Sequence, residues 1–338
     1  MHIWIPGQAR NDKPGRSAAR TMKQSDCKYN LIVILGPTAS GKTRLAARLA
    51  ARIGAELISA DSRQVYRGMD IGTGKDLAEY IVDGAPVPCH LIDVAEPGHL
   101  FSVFEFQRRF YECFREISAR GRMPIVVGGT GLYIESVLRE YRMLPVPENA
   151  ALREELEALS MEELAARLLH LNPALHNTTD LAGRERLVRA IEIAEHTSKH
   201  GSRDVIERPD IVPLVVGIRW DRAVIRERIT KRLKERLDQG MIEEVRRLRD
   251  SGVSWERLDE MGLEYRYVSR HLRGEMSRDE MFKTLNIRIH QFAKRQDTWF
   301  RGMERRGISI HWIEGADEAA LRKLVFEKGD RQNPFLRK

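Results

Sequence analysis

The chain has 338 residues, of which 42% are hydrophobic and 31% are charged, and its formal net charge is +8 at pH 7. This composition is typical of a globular protein, and no run of about 18 apolar residues or signal-peptide stretch is present, which excludes a bilayer-spanning or exported class. The three cysteines, Cys27, Cys89 and Cys113, are too far apart for a disulfide framework or a CxxC zinc site. We therefore expect a cytoplasmic protein with no membrane association.

The N-terminal segment is basic. Residues 1–28 contain six Lys or Arg and two Asp residues, a net charge of +4, and show no apolar periodicity. Such a segment cannot bury enough apolar surface to fold, so we predict a disordered basic extension. Met22 is an alternative start, because MKQSDCKYN leads directly into the first apolar run, and the sequence leaves both starts open.

Six short apolar runs follow, separated for the most part by amphipathic segments. They are residues 31–35, 56–60, 90–94, 124–127, 212–218 and 308–313. Several of these runs are continuous, as in parallel strands that are buried on both faces. The segment 43–53 has apolar residues at helical spacing, and Gly54 provides a C-cap. The alternation predicts an α/β core with a parallel sheet flanked by helices over residues 29–142 and 209–316.

The pattern changes between residues 143 and 208. LPVPEN forms a proline-rich entry, and helical patterns then cover 150–170 and 183–196 without a strand signal. We predict a small inserted helical domain over 143–208. Three basic helices are predicted at about 221–250, 255–273 and 277–302, and residues 317–338 are predicted to be a C-terminal tail.

The segment GPTASGKT, residues 36–43, matches the phosphate-binding loop pattern GxxxxGK[ST] between a strand and a helix. Gly36 and Gly41 allow the backbone amides to wrap around an anion at the N-terminus of the helix. Lys42 supplies a positive charge, and the Thr43 hydroxyl can bind Mg²⁺. The loop predicts a polyphosphate site but leaves open which polyphosphate binds and whether a phosphoryl group moves.

Two other segments follow strands, at the edge where open α/β sheets bind ligands. Asp61 follows the second run and is a candidate base or substrate-orienting carboxylate, although an N-cap or Asx-turn role explains its position equally well. The Gly-rich stretch 68–75 predicts a mobile loop. The segment GGTGLY, residues 128–133, places amides and the Thr130 hydroxyl at the same edge, and a tight strand-to-helix turn would also explain its glycines.

Two helical segments are strongly basic. Residues 217–249 and 283–306 each have a net charge of +5. Arginines recur at every fourth residue in the first, and basic and aromatic residues share a face in the second. These residues are Arg228, Arg232 and Arg236 in the first, and Arg288, Phe292, Arg295 and Trp299 in the second. The pattern favours nucleic acid as a partner, and a solvated face with ion pairs is the alternative.

Together, these motifs carry a family resemblance. GPTASGKT, DSRQVYRGMDIGTGK, VGGTGLY, RLVRAIEI, RITKR, MGLEYR and AKRQDTWFR occur in this order, and residues 30–315 resemble the bacterial tRNA dimethylallyltransferases. The resemblance implies a P-loop NTPase-like fold with a helical insertion that contacts tRNA. It also implies transfer of a dimethylallyl group from its diphosphate to N6 of the adenosine 3′-adjacent to the anticodon, with Mg²⁺ as cofactor. We expect a monomer.

The resemblance also assigns roles to individual residues. Asp61 matches the general base, Lys42, Thr43 and Arg232 match further catalytic positions, and Thr43 matches a metal ligand. The positions that bind the donor diphosphate in the family are matched by Gly36, Pro37, Thr38, Ala39, Ser40, Gly41, Lys42, Thr43 and Arg232. The tRNA-contacting positions match Asp61, Ser62, Arg63, Gln64, Thr130, Arg153, Glu185, Arg186 and Arg189, with MGLEYR as a further contact segment.

Three departures from the family pattern stand out. NTTDLAGRERLVRA has a longer spacing than usual, which affects the register of Asp180 and Glu185. In addition, TSKHGS replaces a usual GK, and GTGK replaces GTAK.

Two other classes of protein remain as alternatives. A P-loop kinase for a small metabolite would use the same loop but would not need basic helices, and a nucleotide-dependent RNA-binding protein would not need the carboxylate of Asp61.

Overall fold

The computed structural model describes residues 29–139, 141, 143–173, 183–200 and 206–329. The predicted basic extension 1–28, the alternative start at Met22, the register of Asp180 and the last nine residues of the predicted tail lie outside these ranges.

A six-stranded parallel sheet forms the core, as the apolar runs predict. Its strands are β1 (Leu31–Leu35), β2 (Glu56–Ala60), β5 (Cys89–His90), β6 (Pro124–Gly128), β7 (Pro213–Arg219) and β8 (His311–Glu314). Their order is β5-β2-β6-β1-β7-β8, and every neighbouring pair is parallel. All five residues of β1 are buried, because helices cover both faces of the sheet. The third strand is shorter than predicted, since Leu91 and Asp93 have φ angles of 62° and 54°, which end the extended conformation.

Helices and one small hairpin connect the first four strands of this sheet, and one further helix follows the fourth strand. They are α1 (Lys42–Ile53), a 3₁₀ helix (Leu77–Tyr80), the hairpin strands β3 (Ile81–Val82) and β4 (Ala85–Pro86), α2 (Val103–Ala119) and α3 (Gly131–Leu138). Because all strands are parallel, the segments that follow β1, β2 and β6 leave the sheet at the same edge, which places the phosphate-binding loop, Asp61 and Thr130 at one end of the core.

The chain between β7 and β8 forms five helices where three are predicted. They are α7 (Arg222–Asp238), α8 (Met241–Asp250), α9 (Trp255–Glu260), α10 (Leu263–Leu272) and α11 (Arg278–Arg305). The first two predicted helices are each interrupted at a glycine, because Gly240 and Gly262 have φ angles of 95° and 133°. The third begins with a capping box between Ser277 and Glu280 and runs for 28 residues.

The chain divides into two compact units, one of which contains Ser102–Arg108 and Arg139–Arg208. This unit includes the predicted insertion, with helices α4 (Ala150–Glu157), α5 (Met161–Leu171) and α6 (Arg184–His200). The single helix predicted over 150–170 is two helices, because Ser160 and Glu163 form a capping box that starts the second. The hydrophobic core of this helical unit consists of Leu152, Leu156, Leu164, Leu168, Leu187, Ala190 and Ile191.

The prediction of a tail over 317–338 is wrong for its first half. Helix α12 (Glu318–Lys328) is capped by the Asp317 side chain, and its Leu321 and Val325 are fully buried in the core of the sheet. The Tyr29 hydroxyl donates a hydrogen bond to the Val325 carbonyl over 2.7 Å. Within the described ranges, no helix is both long and apolar enough to cross a membrane.

Candidate active site at the phosphate-binding loop

The phosphate-binding loop turns sharply between β1 and α1. Ala39 and Gly41 have φ angles of 61° and 83°, and the Ser40 amide donates to the Pro37 carbonyl over 3.3 Å. A Cβ atom on Gly36 would lie 2.9 Å from the Ser40 Oγ, so a larger residue would displace that side chain. The loop therefore has the wrapped conformation that an anion site needs, and it leads directly into the N-terminus of a helix.

Lys42 is the first residue of α1, and its ammonium lies within this loop. The Nζ donates a hydrogen bond to the Pro37 carbonyl over 3.2 Å. Burial lowers the Lys42 pKa to about 8, the carboxylate of Asp61 opposes this shift, and the guanidinium groups of Arg232 and Arg236 add to it. Two guanidinium groups therefore act on the ammonium of Lys42 at this loop, and a bound anion would reduce the repulsion among these three cations.

Asp61 occupies the position after β2, next to this cluster. Its Oδ1 accepts a hydrogen bond from the Arg63 amide over 2.9 Å, so the structural interpretation as an Asx turn is correct. The turn does not exclude a chemical role, because it uses one oxygen and holds the carboxylate close enough to Lys42 to affect its pKa.

The third motif contacts the second directly. The Ser62 amide donates to the Thr130 Oγ1 over 3.1 Å, and the Thr130 amide donates to the Ala60 carbonyl over 3.2 Å. The segments after β2 and β6 thus form one surface at the edge of the sheet, as the sequence analysis predicts for parallel strands.

Gln64 is buried inside the protein, whereas its neighbours Ser62 and Arg63 are half-buried. Its Oε1 accepts from the Ser59 hydroxyl over 3.3 Å, and its Nε2 donates to the Gly74 carbonyl over 3.2 Å. Its amide therefore ties β2 to the Gly-rich loop, and both ends of the side chain are used within the protein.

The loop 68–75, predicted to be mobile, is anchored by a buried carboxylate that the sequence analysis missed. Glu244 on α8 accepts the amides of Asp70, Ile71 and Gly72 over 2.9, 2.7 and 2.9 Å. Its other contact is the Tyr265 hydroxyl, which donates over 2.6 Å. Because this carboxylate is fully hydrogen-bonded, it fixes the loop instead of exposing it to solvent.

The arginines of α7 face the loops and not only the solvent. Arg228 donates from Nε to the Ala39 carbonyl over 2.8 Å and stacks on Trp220, with its Cζ 4.7 Å from the ring centroid. Arg232 donates to the Gly74 carbonyl over 3.2 Å and forms an ion pair with Asp76. Burial acts to raise the pKa of Asp76, but the guanidinium of Arg232 holds that pKa below its usual value.

Gln296 on α11 joins two of the motifs, a role that the sequence analysis missed. The Thr38 amide donates to the Gln296 Oε1 over 2.9 Å, and the Gln296 Nε2 donates to the Gly129 carbonyl over 2.8 Å. Gln296 is 7% exposed, and it lies 258 residues from Thr38 along the chain. Its amide thus sets the distance between the phosphate-binding loop and the segment that carries Thr130.

An exposed face of α11 carries aromatic side chains next to arginines. Phe292 and Trp299 are 38% and 41% exposed, and the Arg295 guanidinium lies 5.8 Å from the Phe292 ring centroid. The Trp299 indole packs over Gly131, where a Cβ atom would lie 2.2 Å from Cδ1. Exposed rings beside cations are typical of surfaces on which nucleic-acid bases stack.

In the helical unit, two predicted tRNA contacts have partners within the protein. The buried Glu192 carboxylate pairs with Arg153 over 2.8 Å and with Arg189 over 3.0 Å. Burial opposes these ion pairs, which nevertheless hold the Glu192 pKa below its usual value. Glu185 is exposed, and Arg186 is half-buried. Arg153 therefore joins α4 to α6, and Arg189 joins α6 to the segment before α4 by donating to the Val146 carbonyl over 2.7 Å.

The residues present fit a hard divalent cation held jointly with a ligand. Thr43 offers a hydroxyl oxygen at the start of α1, and oxygen is the donor type that Mg²⁺ prefers. The described residues contain no group of three or more His, Cys, Asp or Glu side chains that could enclose a metal. A cation here would need phosphate oxygens to complete its coordination, as Mg²⁺ commonly does in nucleotide and phosphate sites.

Comparison with known proteins identifies the family. The profile of IPP transferase matches residues 64–303, and that of isopentenyl transferase matches residues 29–84. The chain belongs to the IPP transferase family. This result confirms the predicted resemblance, and the wider fold comparison agrees. A eukaryotic dimethylallyltransferase acting on tRNA, 19% identical, shares the fold with a TM-score of 0.69 over 88% of this chain and 78% of that chain.

The similarity extends over most of the chain. The tRNA dimethylallyltransferase 1 of Syntrophus aciditrophicus is 60% identical over 296 residues, which are 88% of this chain and 97% of that protein. The tRNA dimethylallyltransferase 2 of Syntrophotalea carbinolica is 61% identical over 289 residues, 86% of this chain and 95% of that protein. The crystal structure of the tRNA isopentenylpyrophosphate transferase of Bacillus halodurans has a TM-score of 0.62 at 31% identity, over 89% of this chain and 98% of that one.

Proposed function

We propose that this family member transfers a dimethylallyl group from dimethylallyl diphosphate to N6 of the adenosine 3′-adjacent to the anticodon in tRNA. The observation that carries the proposal is the placement of the Asp61 carboxylate beside the phosphate-binding loop and Lys42. A base and an anion site at one sheet edge suit a reaction in which a proton leaves one substrate while a diphosphate leaves the other.

The reaction exchanges one bond for another. The adenine N6 forms a bond to C1 of the dimethylallyl group as the bond from C1 to the diphosphate oxygen breaks. Because the N6 lone pair is delocalised into the ring, removal of its proton by Asp61 makes it a better nucleophile. The target base must leave the anticodon stack to reach this edge of the sheet. Ser62, which follows Asp61 in the chain and bonds to Thr130, would then contact the base together with Thr130.

The diphosphate gains negative charge as it leaves. The loop amides, Lys42 and Arg232 surround the place where that charge develops, which lowers the barrier most when they are fixed in advance. We propose that Thr43 holds Mg²⁺ against the diphosphate, where the ion would neutralise part of the leaving-group charge. Gln296 keeps the loop in position through Thr38.

Two surfaces are proposed for tRNA. One is the exposed aromatic and basic face of α11, where Phe292 and Trp299 offer rings for unstacked bases. The other is on the helical unit, where Glu185 and Arg186 are the predicted contacts that lie outside the Glu192 ion pairs. We also propose that the enzyme acts as a monomer in the cytoplasm, where its tRNA substrate is found.

The function can be tested with purified protein, Mg²⁺, dimethylallyl diphosphate and unmodified tRNA, in the absence of ATP. Mass spectrometry of nucleosides is expected to show one five-carbon unit on an adenosine next to the anticodon. A tRNA without adenosine at that position is the control and should not react. Product that forms only with ATP, or phosphorylation of a small metabolite, would contradict the proposal and favour the P-loop kinase alternative.

The Lys42 pKa predicts how donor binding changes with pH. In the enzyme without donor, burial lowers the pKa of Lys42 to about 8, whereas a bound diphosphate would favour the charged form of the lysine. The dissociation constant for dimethylallyl diphosphate is therefore expected to rise by about tenfold per pH unit above this value. Titrations between about pH 7 and 9 check this, and Lys42→Arg is the control, because arginine stays charged and should give a flat profile.

Gln296→Met is expected to weaken donor binding with little effect on tRNA binding. Methionine has a similar volume, but it leaves the Thr38 amide and the Gly129 carbonyl without their partner. Each lost buried hydrogen bond costs about 1–3 kcal/mol, so KM for the donor should rise by about tenfold or more. Thr298→Val, on the exposed side of the same helix, is the control. An unchanged donor KM would show that the bridge does not position the loop.

A further inference from the structure

Arg236 is a buried arginine for which the sequence resemblance gives no role. It lies one helical turn after Arg232 on α7 and is 6% exposed. Its Nη1 donates to the Gly72 carbonyl over 3.4 Å, and its nearest acidic partner, Glu264, is 3.5 Å away. Its Nε is buried and has no hydrogen-bond partner among the described residues. A buried guanidinium with long contacts and an unpaired nitrogen is costly unless a ligand completes it.

The carboxylates near Arg236 pair with it incompletely. Glu264 is 3.5 Å away, and the carboxylate of Asp76 is already paired with Arg232. Burial lowers the Arg236 pKa to about 10, so the guanidinium is still charged at neutral pH. Its charge also acts on Lys42 in the phosphate-binding loop. The Arg236 charge therefore acts on the place where the diphosphate is proposed to bind.

Gly74 makes room for this guanidinium. A Cβ atom at Gly74 would lie 1.5 Å from the Arg236 Nη2 and 2.5 Å from the Arg232 Nη2. The backbone conformation is a second reason for glycine here, because the φ angle of 64° lies in the left-handed region. The GTGK sequence, which replaces the GTAK of the family pattern, is thus matched to the arginine at position 236.

We propose that Arg236 is a further diphosphate-binding residue, which binds the donor together with Arg232. Its guanidinium fits into the site because Gly74 has no side chain. The inference rests on the proposed function, because it assumes a diphosphate donor. Two guanidinium groups can each donate two hydrogen bonds to phosphate oxygens, and the unpaired Arg236 Nε would gain an acceptor. Lys42 and the loop amides are left to bind the remaining oxygens.

Isothermal titration with inorganic pyrophosphate and Mg²⁺ tests the inference without relying on turnover. Arg236→Met is expected to bind pyrophosphate about 10–100-fold more weakly, because hydrogen bonds to a charged group are lost. Its melting temperature should change little, since removal of an incompletely paired buried charge offsets the loss of the Glu264 ion pair. Lys231→Met, an exposed position on the same helix, is the control and should bind like the wild type. Arg236→Lys keeps the charge but not the fork, and it should show an intermediate loss.

A double-mutant cycle tests the partnership with Gly74. Gly74→Ala should displace the guanidinium and weaken pyrophosphate binding strongly, but it should weaken binding much less when Arg236 is already Met. Unchanged binding in Arg236→Met and Arg236→Lys, or losses that simply add, would overturn the inference while leaving the function intact. If the wild type neither binds pyrophosphate nor prenylates tRNA, the proposed function fails as well.

Discussion

Replacement of Asp61 by Asn is expected to lower the rate of prenyl transfer by about 10²–10⁴-fold, the usual contribution of a general base. The substitution is a sharp test because it changes little else. An asparagine Oδ1 can still accept the Arg63 amide, so the Asx turn that positions the side chain is preserved. What is lost is the ability to take the N6 proton, and tRNA binding should remain close to that of the wild type.

Single-turnover kinetics with saturating tRNA and donor would measure this loss at the chemical step. Asp83→Asn is a matched control, since Asp83 is exposed in the β3–β4 hairpin and asparagine tolerates its φ angle of 50°. Filter binding should show similar tRNA affinity for the wild type and both variants. Turnover near the wild-type rate in Asp61→Asn would show that another group accepts the proton.

Arg232→Ala is expected to weaken binding of dimethylallyl diphosphate by about 10–100-fold and to leave tRNA affinity almost unchanged. Two effects combine. The diphosphate loses a charge-assisted hydrogen-bond donor, and Asp76 loses the guanidinium that holds its pKa down and offsets its negative charge. An unpaired carboxylate near the donor would repel it further.

The second effect can be separated from the first. Adding Asp76→Asn to Arg232→Ala removes the unpaired carboxylate and should recover part of the donor affinity. Lys231→Ala, the exposed neighbouring cation on α7, serves as the control and should change donor binding little. Equal losses for donor and tRNA in Arg232→Ala would place this arginine on the tRNA surface instead.

The amino-acid sequence alone determined the core of this protein. LIVIL followed by GPTASGKT specifies a buried strand, an anion-binding turn and a helix within 23 consecutive residues, and the structure has all three. Such elements are predictable because they depend on interactions between neighbours: alternating or continuous apolar runs, glycines at left-handed positions and N-terminal helix amides. The family follows from the same motifs, because their residue types and spacings are specific.

Boundaries were less predictable than elements. The sequence pattern does not separate α7 from α8 at Gly240 or α9 from α10 at Gly262, because a glycine within a helical pattern is compatible with both continuation and a break. Helix α12 was also not predicted, because its pattern is short. That helix is stable because Leu321 and Val325 pack on the sheet, and a pattern of local residues does not reveal this burial.

Only the tertiary structure decided which polar side chains hold the site in place. Gln296 meets Thr38, Glu244 collects the amides of residues 70–72, and Arg236 occupies the space beside Gly74, each across more than 150 residues of chain. The sequence supplies the residue types for these contacts but not their partners. Each buried amide, carboxylate or guanidinium must find a partner once water is excluded, and the packing of distant elements determines which one it finds.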